Sequence, residues 1–136
     1  MPFLNLDIEG AEPSSQALDQ VQKGLTSLMA QVLRKRADLT VVRVNVRAVS
    51  RLWVGGRPLP AGSWSGRLVV HVTEGTNTAE EMAMFLAAAH DLIAQQLSRP
   101  ASPFYVVIQA VPATSWGYDG LTQAARAAAP MLEAAA

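Results

Sequence analysis

The chain opens with MPFLNLDIEG, in which Leu4, Leu6 and Ile8 alternate with Asn5, Asp7 and Glu9. A period of two predicts a β-strand buried on one face. A polar turn follows, and then Leu18, Val21, Leu25, Leu28, Met29 and Val32 recur at three- and four-residue steps. That spacing predicts a helix with one apolar face, and Pro13, Ser14 and Ser15 supply a start signal. In TVVRVNVRAV the alternation returns, with Val42, Val44 and Val46 set between Arg43, Asn45 and Arg47. The strand runs into RLWVGG.

The same order is then repeated. RLVVHVTEG is apolar at nearly every position, as expected of a central strand. In the helical stretch TNTAEEMAMFLAAAHDLIAQQL, Thr78 and Glu81 have capping-box spacing. Its predicted apolar face is Met82, Phe85, Leu86, Ala89, Ile93 and Leu97. FYVVIQAVPATSWGYDG gives a last strand and a turn. Gly10 recurs as Gly75, Trp53 as Trp116 and Gly56 as Gly120, at nearly one separation. The pattern predicts two β-α-β units, residues 2–57 and 66–120, joined by RPLPAGSWSG and followed by an alanine-rich tail, residues 121–136. The alanine-rich tail reads as a short helix or a frayed end. A crossover helix within each unit requires parallel pairing. The expected fold is therefore α+β, one four-stranded sheet with two helices on one face. At 136 residues the chain is expected to form a single domain. Valines on the uncovered sheet face favour oligomerisation.

Composition narrows the chemistry. There is no cysteine, hence no disulfide and no thiolate nucleophile or ligand. Lys and Arg equal Asp and Glu at 11 each, and a nucleic-acid binder would show a basic excess. No apolar run approaches the roughly 18 residues of a membrane span. No basic-then-apolar leader opens the chain, so a cytoplasmic location is expected. His71 and His90 have no second ligand at metal spacing, and no metal is expected. Asp7, Glu9 and Glu12 read as solvated.

Pro2 is either a tolerated strand starter or a reagent. MPFLNLDIEG, TVVRVNV with RLWVGG, and VVIQAVPATSWGYDGLT, in this order and spacing, resemble the tautomerase superfamily. More narrowly, they resemble a fused 4-oxalocrotonate tautomerase, with two short family subunits in one chain. The resemblance covers about residues 2–122. It implies a cofactor-independent keto–enol isomerase of small 2-oxo acids and a homotrimer of pseudo-hexameric form. In that chemistry the amine of Pro2, exposed when Met1 is removed, is the general base. Arg43 matches the family's carboxylate-binding arginine on the second strand, and Arg47 and Arg51 lie near it. Trp116 and Trp53 occupy the aromatic slot of the two turns. Tyr105 and Tyr118 are further candidates for the pocket. Related families use the same proline to hydrate haloacids or decarboxylate a semialdehyde, and an inactive trimeric scaffold is the alternative outside enzymes.

An α-amino group titrates at roughly 7.7–8.0, and burial or a nearby cation lowers it further. A neutral proline base at pH 7 is therefore physically sound. The chain departs from the family after the first strand, where short members carry an arginine. Here Ala11 follows Gly10, and Thr76 follows Gly75. Either Arg67, Arg47 or Arg51 substitutes, or the substrate is a smaller or monocarboxylate acid. Arg67 falls near the place in the second unit that Pro2 takes in the first, so one proline site per chain is expected.

Overall fold

The computed structural model describes residues 1–135, with side chains through residue 129. Its strands are β1 (Phe3–Glu9), β2 (Val41–Arg47), β5 (Ser65–Thr73) and β6 (Tyr105–Val111), with short pairs β3 (Trp53–Val54)/β4 (Arg57–Pro58) and β7 (Gly117–Tyr118)/β8 (Leu121–Thr122). Helices α1 (Ser15–Gln31) and α2 (Ala79–Leu97) are the two crossovers, and α3 (Gln123–Ala135) follows β8. The main sheet has the order β2-β1-β5-β6. β1 pairs in parallel with β2, Leu4 opposite Val42, and β5 with β6, Leu68 opposite Val106. The two units meet where β1 and β5 run antiparallel, Leu4 opposite Val70 and Leu6 opposite Leu68. The expected α+β sheet is thus the observed one, and the tail takes the helical alternative as α3.

Alternation decides the core. Leu4, Leu6 and Ile8 on β1, with Leu68, Val70 and Val72 on β5, are buried against Val21, Leu25 and Met29 of α1 and Phe85, Ala89 and Ile93 of α2. Each of these except the small Ala89 contributes about 1.5–3 kcal/mol by leaving water. The helices approach closely at Gly24, where a Cβ would meet the Leu92 side chain at 2.6 Å. Two expectations shift. β5 is central, yet only one of its faces is buried, because no layer covers the other. Leu86, assigned to the apolar face of α2, is 37% exposed. Trp64, in the connecting loop, is a core residue that its polar setting in the sequence conceals. It is buried, and its Nε1 donates to Ser98 Oγ at 3.1 Å.

The uncovered face is more polar than its valines suggested. Asn5, Asp7, Asn45, Arg67, His71 and Gln109 surround Val69 and Val107 there. Both hairpins turn through two successive residues at positive φ, Gly55–Gly56 and Asp119–Gly120, the geometry that matches strand twist. Among the described residues no helix is long and apolar enough to cross a membrane. No cluster of three His, Asp or Glu stands ready to hold a metal ion there.

The capping box of α2 is present in both directions. Glu81 N–H donates to Thr78 Oγ1 at 3.1 Å, and Thr78 N–H donates to Glu81 Oε1 at 2.9 Å. Thr78→Ala should therefore lower stability by about 1 kcal/mol, read as a lower urea midpoint at unchanged slope; an unchanged midpoint would contradict the cap's contribution.

Candidate active site at the start of the first strand

Pro2 continues the buried row of Leu4, Leu6 and Ile8 and is itself buried. Its carbonyl accepts from Val41 N–H at 3.2 Å, which fixes the start of β1 to the start of β2. Antiparallel pairing brings the end of β5 alongside, and with it the second hairpin. Trp116 is held there by two bonds. Its Nε1 donates to Thr73 Oγ1 at 3.2 Å, and its carbonyl accepts from Gln123 N–H at 2.9 Å. The Gln123 side chain then clasps the chain start. The Met1 amine donates to Gln123 Oε1, and Gln123 Nε2 donates to the Met1 carbonyl, each at 3.3 Å.

A cation completes this end. After α1, Arg34 adopts a left-handed φ of 58°, which turns the chain so that Lys35 N–H reaches back to the Met29 carbonyl at 3.0 Å. Lys35 Nζ then donates to Thr76 Oγ1 at 2.7 Å. Thr76 is anchored in turn, donating to the Thr73 carbonyl at 2.6 Å. The position where the resembling family carries an arginine therefore holds a hydroxyl, and the hydroxyl holds a lysine. Burial and, secondarily, the Lys35 charge push the Met1 amine below its ordinary 8.0. Lys35 is also lowered, by burial first and by Arg34 second, against an opposing pull from Glu81. Glu81 is engaged by Arg34 at 2.9 Å, and among the described residues Lys35 makes no ion pair.

The predicted residues divide. Pro2 and Trp116 meet at this end. Arg47, Trp53 and Tyr105 line a cavity at the opposite end of the sheet. Arg43 pairs with Asn5 on the uncovered face, away from the side on which Pro2 is buried. Tyr118 lies in the second hairpin under the Arg126 guanidinium, 3.7 Å from its ring centre. Arg51 engages Glu9 only through its backbone N–H. The position equivalent to Pro2 also needs correction. Superposing the buried rows sets Leu68 on Leu4, so Gly66 stands in place of Pro2, and Arg67 is one residue on. A Cβ at Gly66 would overlap the Asp7 carbonyl oxygen, which accounts for the glycine. Sequence reasoning missed Lys35 and Gln123. Lys35 sits in the charged run LRKRAD, where nothing distinguishes it from a solvated lysine.

Residues 68–126 match the family model for tautomerase enzymes. No curated protein matches the chain. Among solved structures, the Q0 fused 4-OT symmetric trimer is similar at a TM-score of 0.79 and 21% identity, covering 91% of this chain and 98% of that one. Pt0534 inactivated by 2-oxo-3-pentynoate gives 0.78 and 16%, with the same coverage of 91% and 98%. A macrophage migration inhibitory factor-like protein from Entamoeba histolytica gives 0.71 and 14%, covering 89% and 97%. Residues 68–126 thus match the tautomerase family model, and the chain over most of its length has the fold of the fused 4-OT proteins.

Proposed function

We propose that the protein is a cofactor-independent tautomerase of a small 2-oxo or enol acid, working through the amine of Pro2 once Met1 is removed. The observation that carries this reading is the place of Pro2, buried at the start of β1 with its carbonyl fixed by Val41 N–H, where the Met1 amine one residue earlier lies in surroundings that disfavour an ammonium ion. A secondary amine buried in that place has its ammonium form disfavoured, is rigid, and needs no histidine to act as a base. Its lone pair takes the enol hydroxyl proton as the C=O bond forms, and the ammonium returns the proton to carbon. Lys35 binds the substrate carboxylate in the role left open by the absent arginine, as a point charge rather than a fork. Trp116 walls the site from water. Arg43 faces away from Pro2 within one chain, so any part it takes belongs to a site on a neighbouring copy in a homotrimer. The fused 4-OT neighbours Q0, F6 and R7 are trimers.

Ketonisation of phenylenolpyruvate tests the base directly. Pro2→Ala should lower kcat/KM by about 10²–10⁴-fold, the usual worth of a positioned general base; equal rates would exclude it. 2-Oxo-3-pentynoate, which inactivates Pt0534, should add once per chain, on the N-terminal peptide, and a label elsewhere would count against the proline.

The amine's pKa also sets the pH profile. Only the neutral form is a base, so kcat/KM should rise with pH through the amine's titration, which burial and the Lys35 charge should displace downward as they do for the Met1 amine. Lys35→Met should move that limb upward and raise KM. An unmoved limb together with an unchanged KM would remove Lys35 from the site.

A further inference from the structure

The opposite end of the sheet holds a cavity of about 510 Å³, lined in part by Arg47, Trp53, Gly66, Arg67 and Tyr105. It is the counterpart of the Pro2 end under the repeat, with Gly66 in the place of Pro2 and Trp53 in that of Trp116. The counterpart has no free amine, because Gly66 lies within the chain. It has gained two guanidinium groups, and two large aromatics remain open to solvent, Trp53 at 58% and Tyr105 at 64% exposed. The two nearby acids are already engaged. Asp7 accepts from Asn45 Nδ2 at 3.0 Å and pairs with Arg67 only through Nε, at 3.5 Å. Glu9 accepts the Arg51 backbone N–H at 3.1 Å. Arg47 makes no ion pair among the described residues.

We infer that this cavity is a second, non-catalytic binding site, which takes a planar unsaturated or aromatic carboxylate. A guanidinium fork suits a carboxylate in two-point contact. The flat apolar part of such a molecule lies against Trp53 and Tyr105, whose rings otherwise meet water. The volume falls within the ordinary range for a small-molecule site. Gly66 adds to the fit, since its bare backbone forms the wall where any side chain would collide with β1. The chain thus carries two ends of common design, one with a base and one that only binds.

Titration of the full chain with trans-cinnamate, followed by calorimetry and tryptophan emission, tests this. In the Pro2→Ala and Lys35→Met variants cinnamate should still bind and quench, and the quench should vanish in Trp53→Phe. Arg67→Ala should weaken that binding roughly tenfold. Arg47→Ala, which disturbs no ion pair among the described residues, should weaken it similarly, with folding of each variant checked by its thermal transition. The inference is overturned if Trp53→Phe keeps the full quench, if the folded Arg47→Ala chain binds as tightly as wild type, or if Lys35→Met abolishes all binding. It is equally overturned if wild type shows no uptake because a neighbouring copy fills the cavity.

Discussion

The antiparallel pairing of β1 with β5 is the constraint on which the rest of the structure depends. It joins two β-α-β units into one sheet and sets the start of each unit against the end of the other's first strand. Buried alternation fixes its register, because a slip of one residue would turn Leu4, Leu6 and Ile8 out of the core. With that register fixed, the chain start comes to lie against Thr73, Thr76 and the second hairpin. No local feature of MPFLNLDIEG specifies that neighbourhood.

The same pairing makes the two ends alike in frame and unlike in chemistry. At one end the frame meets the start of the chain, and Gln123, Thr76 and Lys35 are organised around it. At the other it meets an internal peptide at Gly66, and arginines and open aromatics line the space. Burial has a different consequence in each place. It lowers the basicity of an amine, which favours proton transfer, whereas a guanidinium keeps its charge and can only bind.

Much of the fold was legible because periodicity reports burial directly. The two helices, the four main strands, both turns and the capping box of α2 all follow from spacing. Trp64 was not legible, since its partners Ser98 and the sheet edge are distant in sequence. The site was legible only in part. Pro2 and Trp116 stand out as residue types at marked positions, yet their meeting depends on β1–β5 pairing. Arg47, Trp53 and Tyr105 carry equally good local signals and lie at the far end of the sheet. Lys35 carries no signal at all, for its place is set by a left-handed turn at Arg34 and by a threonine far along the chain.

The central claim is that the fold holds the amine of Pro2 where its ammonium form is disfavoured. The most direct measurement is a ¹⁵N NMR titration of the processed chain, labelled at proline. The account predicts one free proline nitrogen whose midpoint lies below that of an unburied N-terminal proline, the direction in which burial and Lys35 push the Met1 amine. A midpoint at or above that of an unburied N-terminal proline, or the absence of any free proline nitrogen, would contradict it.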